Sequence, residues 1–230
     1  MLSPTKASVV VDTIRMQERL AILLAFIAGY MDATGIIRWK TYVSFMSGNT
    51  TQLGTALSGQ KSEIIVTSAV VIGCFLLGIY AGTCLSLWKK VKIRTLPFYL
   101  VAGILAIYLM ISQAYNIPPI PSVAVIGFSM GVMNTIVTSV GSQKVNTDFV
   151  TGTLNSLAIN TAMLSMTDDT MEKKQYKTNI IHLLLLWTGF LSGAFSAGIL
   201  LPLLESWILG IPILLLLTCS LIVDTSIIKI

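Results

Sequence analysis

The sequence predicts an all-α integral membrane protein of about six transmembrane helices, arranged as two three-helix inverted repeats. Each repeat carries a polar broken or re-entrant segment. Three observations predict this. Hydrophobic residues fill 54% of the 230 positions and charged residues only 11%, against about 25% charged in an ordinary soluble domain; mean hydropathy is +0.83. Apolar runs recur at 20–37, 64–88, 96–114, 120–140, 179–201 and 207–228, each near the roughly 20 residues that cross about 30 Å of hydrocarbon. The third is a diverged internal repeat. Gly29 and Asp32 precede Phe45-Met46-Ser47-Gly48-Asn49-Thr50 in the first half, as Gly131 and Asn134 precede Phe149-Val150-Thr151-Gly152-Thr153 in the second. Phe75, Gly78 and Pro97 then recur as Phe190, Gly193 and Pro212 at an offset of 115.

A soluble helical bundle would need polar faces at a 3.6-residue period, and stretches such as 181–186 and 211–217 have none. The repeat divides the chain into a cytoplasmic N-terminal tail at 1–18, a first membrane repeat at 19–115 and a second at 116–230. The tail mixes Lys6, Asp12, Arg15 and Glu18 and shows no cleavable leader pattern. The net charge of +5 comes from basic residues placed between spans rather than in one patch, so topology explains it and nucleic acid is not an expected partner.

The distribution of Lys and Arg selects the number of crossings. With six spans and an inside N-terminus, Lys6, Arg15, Arg19, Lys89, Lys90, Lys92, Arg94, Lys144, Lys173, Lys174, Lys177 and Lys229 fall inside, 12 of the 15 basic residues. Only Arg38, Lys40 and Lys61 fall outside. Eight spans with parallel repeats, the alternative, would split the same residues 8 against 7, so the positive-inside rule favours six. Three spans per repeat is an odd number, which inverts the second repeat relative to the first. Residues 42–57 then dip in from outside and 149–166 from inside. Such polar segments lie at membrane depth only where protein or a water-filled cavity satisfies their backbone.

These paired motifs resemble the YoaK family of bacterial membrane proteins, a family defined by sequence. The resemblance rests on Ala28-Gly29-Tyr30-Met31-Asp32-Ala33, on Phe45-Met46-Ser47-Gly48-Asn49-Thr50 with Leu53-Gly54, and on Gly131-Val132-Met133-Asn134 with Phe149-Val150-Thr151-Gly152-Thr153-Leu154. It implies a multi-pass protein of the bacterial plasma membrane, and supplies no catalytic residue, substrate or cofactor. One departure is the segment Ser142-Gln143-Lys144-Val145-Asn146, which is less basic than the family pattern before the second motif.

Asp32 is the one acid well inside an apolar run. An ionised side chain at the bilayer centre costs about 2.5–3.5 kcal/mol on insertion scales, so Asp32 is expected to face the protein interior or to be neutral. It reads either as a proton or cation site, with Asn134 its uncharged counterpart, or as an acid that fixes helix packing. Gly48 and Gly152 permit a helix break or a close backbone approach. Ser47, Asn49, Thr50, Thr151 and Thr153 supply short donors and acceptors. If each motif starts a half-helix, its free N–H groups would favour an anion or a solute oxygen. The competing role for these residues is close helix packing. The candidate substrate-binding set is therefore Asp32, Ser47, Gly48, Asn49, Thr50, Asn134, Thr151, Gly152 and Thr153, with no metal ligands and no catalytic residues.

Other signals read as packing or as decoys. Gly78–Gly82, Gly127–Gly131 and Gly189–Gly193 are small-xxx-small pairs suited to helix packing within the chain or to a homo-oligomer. Trp39, Trp88 and Trp207 suit membrane interfaces. Cys74, Cys84 and Cys219 have neither disulfide nor ligand spacing. Gly127-Phe128-Ser129-Met130-Gly131 fits G-x-S-x-G but lies in a span rather than at a strand–turn–helix elbow, and His182 is the one histidine. Asp168, Asp169 and Glu172 sit beside Lys173, Lys174 and Lys177 and read as a solvated loop. No phosphate-cradling or dinucleotide motif occurs. The expected function is gradient-driven movement of a small solute by a transporter or channel, not an enzyme and without a cofactor, at a site near mid-membrane between the repeats. The alternative is a non-transporting scaffold or assembly partner that would use Gly78, Gly82, Gly189 and Gly193 as its contact face.

Overall fold

A computed structural model describes residues 4–88, 95–136, 139–140, 143–144 and 150–227. Lys89, Lys90, Lys92, Arg94, Ser142, Val145, Asn146, Phe149 and Lys229, used above for topology or motif, lie outside the described residues. Along the chain run α1 (Pro4–Trp39), α2 (Met46–Ser58), α3 (Ser62–Leu87), α4 (Leu96–Ala114) and α5 (Pro119–Met133). Two strands of two residues follow, β1 (Ser139–Val140) and β2 (Gln143–Lys144), paired antiparallel. Then come α6 (Val150–Met166), α7 (Thr170–Leu204), a 3-10 helix (Glu205–Leu209) and α8 (Gly210–Ile227).

The helix boundaries follow local chemistry. Proline stands in the first turn of α4 and of α5, where its missing N–H has no intrahelical partner to lose. Asp169 caps α7 by accepting from the Met171 N–H at 2.7 Å, the standard use of an acid at a helix start. Among the described residues three non-glycine residues take positive φ: Lys40 directly after α1, Gln60 two residues after α2 and Glu205 directly after α7.

Among the described residues four helical stretches are long and apolar enough to cross a membrane: Arg15–Trp39, Ser62–Leu87, Leu96–Ala114 and Thr170–Val223, the last holding α7 and most of α8. Helix α5 is apolar but has 15 residues, so the run expected at 120–140 is helical only to Met133. The segment read as an N-terminal tail is helical from Pro4 and continuous with the first span. The two polar motif segments form separate short helices, α2 and α6. Large apolar side chains such as Leu76, Leu77, Tyr80, Ile107, Met110 and Phe195 point outward, a surface that suits lipid rather than water. This is a multi-pass helical protein of membrane type.

The core is built from Leu24, Ile27 and Met31 of α1, Phe98 and Leu105 of α4, Ile126 and Met130 of α5 and Leu216 of α8, all buried. Helix α1 packs along α7 and α3 along α5, each pair running in the same direction. Going up α1, Glu18 meets His182 at 3.1 Å, Ile22 faces Gly189, Phe26 faces Gly193, and Arg38 donates to the Glu205 carbonyl. Along α3, Val71 faces Gly127, Phe75 faces Gly131 and Gly82 faces Thr135.

The residues matched by the sequence repeat meet one another across these pairs. Gly29 lies against the Phe190 carbonyl and Gly131 against that of Phe75; Gly78 lies against the Phe128 carbonyl and Gly193 against that of Phe26. In each place a β-carbon would overlap a backbone oxygen, so the absence of a side chain is what lets the axes approach. The glycines of all three small-xxx-small pairs thus pack inside the chain. The contact face that a scaffold was expected to form from Gly78, Gly82, Gly189 and Gly193 is already occupied.

Three further ties fix the ends. Tyr30 Oη donates to the Ile208 carbonyl at 3.0 Å. Ser206 Oγ donates to Gln113 Oε1 at 2.9 Å, which brings the end of α4 to the α7–α8 link. Tyr108 Oη donates to Ser122 Oγ at 2.8 Å across the α4–α5 hairpin.

Candidate functional site

The chain cannot continue α1 past Trp39 into α2 without a reversal, and residues 40–45 make it. Six residues without helical hydrogen bonds carry several N–H groups that need partners. Asp32 of α1, which is only 3% exposed, supplies them. Its Oδ1 accepts from the backbone N–H of Val43 at 2.8 Å, Ser44 at 2.7 Å and Phe45 at 3.3 Å. Its Oδ2 accepts from Ser44 Oγ at 2.7 Å. Both carboxyl oxygens of Asp32 are thus engaged by residues 43–45. The carboxylate also sits at the start of α2, where the helix dipole favours negative charge.

Asn49, fully buried in α2, closes the same loop from the other side. Its Oδ1 accepts from Thr41 Oγ1 at 3.0 Å and from the Tyr42 N–H at 3.1 Å, and its Nδ2 donates to the Tyr42 carbonyl at 2.7 Å. Gly48 sits under the edge-to-face pair of Tyr42 and Phe45, whose ring centroids are 5.2 Å apart; a β-carbon on Gly48 would come within 2.5 Å of the Phe45 ring. Asp32, Gly48 and Asn49 are thus brought together, as parts of one latch that holds residues 41–46 against α1.

In the first repeat the N–H groups of residues 43–45, just before α2, are taken by Asp32. Thr41 and Ser44, both buried, are members of the latch that sequence reasoning missed.

The remaining candidates lie elsewhere. Ser47 and Thr50 are exposed on α2, and Thr50 Oγ1 donates to the Met46 carbonyl of its own helix at 2.8 Å. Thr151 is exposed and Gly152 and Thr153 are half-buried on α6, a helix with no buried residue. Helix α2 packs along α3 and α6 along α7; among the described residues the two short helices do not pack along each other. Asn160 on α6 accepts from Asn179 of α7 at 3.0 Å. Asn134 follows α5, and among the described residues its Oδ1 is buried without a partner, as is Ser68 Oγ on α3.

The decoys resolve locally. Ser129 is buried inside α5 and donates to the Val125 carbonyl at 2.9 Å, while His182 faces Glu18. Among the described residues no group of His, Cys, Asp and Glu could hold a metal ion, and the three cysteines are free.

No curated protein and no solved structure matches the chain. A family profile does match, over residues 20–222, which takes in both polar helices and most of every apolar span. The YoaK-type motifs fall within that match, and the chain belongs to the family described as "Protein of unknown function (DUF1275)".

Proposed function

We propose that this chain is a gradient-driven transporter or channel for a small solute, built as two inverted repeats, with α2 and α6 as re-entrant helices. The observation that carries the reading is the Asp32 latch. Asp32 lies seven residues before Trp39, about 10 Å along α1, so its bonds to residues 43–45 draw the start of α2 that far below the end of α1. Helix α2 has 13 residues, about 20 Å, too short for about 30 Å of hydrocarbon.

The end-to-end contacts support six crossings. Arg38, Gln113 and the Glu205–Ser206 link meet at one end, so α1, α4 and α7 all finish there. Helix α5 starts there after the hairpin from α4, and α3 runs alongside α5 in the same direction. Helix α2 then leaves and returns to that one end. The Glu18–His182 contact brings the start of α7 to the start of α1, the end where α5 finishes, so α6 leaves and returns to the opposite end. Broken polar helices entering from opposite faces are how many transporters build a solute site at mid-membrane. One repeat would rock against the other to expose that site alternately.

Single cysteines at positions 60 and 143 test the topology in intact cells. Labelling from opposite sides is expected, whereas labelling from one side would require eight spans and parallel repeats. Flux in reconstituted vesicles tests the function. A panel of small solutes that enters no faster than into empty vesicles, with no change in α2 variants, would leave the scaffold reading instead. One observation favours that second reading: the hydrogen bonds of Asp32 described above are all internal.

A further inference from the structure

Resting on that transport reading, we propose that the units that rock are two bodies in which the repeats have exchanged their first helices. One body is α2, α3, α4 and α5; the other is α1, α6, α7 and α8. The closest helix pairs decide this. Gly29 and Gly193 join α1 to α7 by glycine-to-carbonyl contacts, at Phe190 and Phe26. Gly131 and Gly78 join α3 to α5 in the same way, at Phe75 and Phe128. Each pair takes one helix from residues 19–115 and one from 116–230. Backbone-to-backbone contact leaves no side chain that could repack as the helices part, so separation forfeits the contacts outright. Sliding is blocked as well. A shift of one turn would bring Ala25 or Ala33, each with a β-carbon, to the place of Gly29. Intact repeats could rock apart only by breaking both pairs.

Elsewhere the packing permits movement. Among the described residues no glycine brings α4 against α8, or α1 against α5, at such range; Gly103 and Gly210 meet nothing within 4 Å. Helices α4 and α8 pack through core side chains, which allow small sliding steps. Two tyrosines divide that pair between the bodies. Tyr108 of α4 donates to Ser122 of α5, and Tyr30 of α1 to the Ile208 carbonyl just before α8. Since α2 lies along α3 and α6 along α7, each body carries one short polar helix. Movement at the seam then shifts α2 relative to α6. The chain crosses between the bodies at residues 40–45, the segment that Asp32 holds, so the latch is the pivot. A second tie across the seam joins Gln113 to Ser206, at the end where α1, α4 and α7 finish.

Spin-label distances in the full chain, held in lipid nanodiscs, test this division. Labels are attached at that same end through Ile37→Cys, Ile64→Cys, Ile120→Cys and Leu203→Cys, all exposed positions. Cys74→Ala and Cys84→Ala remove the accessible thiols, and Cys219 is buried. The pairs 37–203 and 64–120 join different repeats within one body. The pairs 37–64 and 120–203 join different bodies within one repeat. A single distance is expected for each of the first two pairs. Each of the last two is expected to show two populations about 5 Å apart, the scale of a one-turn displacement. Gln113→Ala removes the second tie and is expected to change the ratio of those populations about fivefold. Two populations in either of the first two pairs overturn the inference. If the last two pairs then keep single distances, the intact repeats are the moving units and transport stands. An unchanged ratio in Gln113→Ala also overturns the division. One distance in all four pairs, with and without Gln113→Ala, counts against a rocking transporter itself, and the inference falls with it.

Discussion

Asp32→Ala is expected to destabilise the protein by about 3–5 kcal/mol, because it strands the buried donors of residues 43–45, each costing about 1–3 kcal/mol when unpaired. The carboxylate accepts all three N–H groups and the Ser44 hydroxyl at once, and alanine replaces none of these bonds. In a detergent thermal melt the loss corresponds to a fall of roughly 10 °C at this chain length. Asp32→Asn keeps one acceptor oxygen and should cost less, about 1–2 kcal/mol. A wild-type midpoint for Asp32→Ala would remove the latch and with it the main support for a re-entrant α2. The pair of variants also separates structure from solute binding. If Asp32→Asn folds at near-wild-type stability yet abolishes flux, the carboxylate touches the solute path; if flux persists, its role is to position α2.

A second large effect is expected from methyl groups added where helices cross. Gly29→Ala and Gly131→Ala each place a β-carbon onto a backbone carbonyl oxygen of the facing helix, Phe190 in one case and Phe75 in the other. A carbonyl cannot rotate away as a side chain tip can, so the helix pair itself must separate. Overpacking of this kind costs about 1–3 kcal/mol and occasionally more, and the upper end is expected here because α1–α7 and α3–α5 are the long lateral contacts of the fold. The controls are Gly73→Ala and Gly103→Ala, in α3 and α4, where an added β-carbon meets nothing within 4 Å. These should be neutral or stabilising by about 0.5–1 kcal/mol, the ordinary gain of alanine over glycine in a helix. Equal melting behaviour for Gly29→Ala and Gly103→Ala would contradict the close crossings.

Apolar runs and sparse charge already carried the helical membrane class, because a bilayer demands long stretches without ionised groups and these are visible residue by residue. The repeat was legible for a related reason: Gly29 with Asp32 recurs as Gly131 with Asn134 at an offset of 102, and Phe75 with Gly78 as Phe190 with Gly193 at an offset of 115. What those residues touch was not legible. Gly29 opposes Phe190, more than 150 positions away, and local spacing carries no record of a contact made across two helices. Asp32 was singled out by its charge in an apolar run, yet its partners are N–H groups of residues 43–45. Backbone donors have no signature in the sequence, and only the fold of the loop aims them at the carboxylate.

The length and polarity of α2 and α6 came from the chain itself, through hydroxyl and glycine residues too polar for an ordinary span. Whether those helices meet was decided by tertiary packing. Helix α2 rests on α3 and α6 on α7, with the donors turned to their own carbonyls. Composition determines which segments avoid water; the geometry of the neighbouring helices determines which polar atoms remain available to a solute.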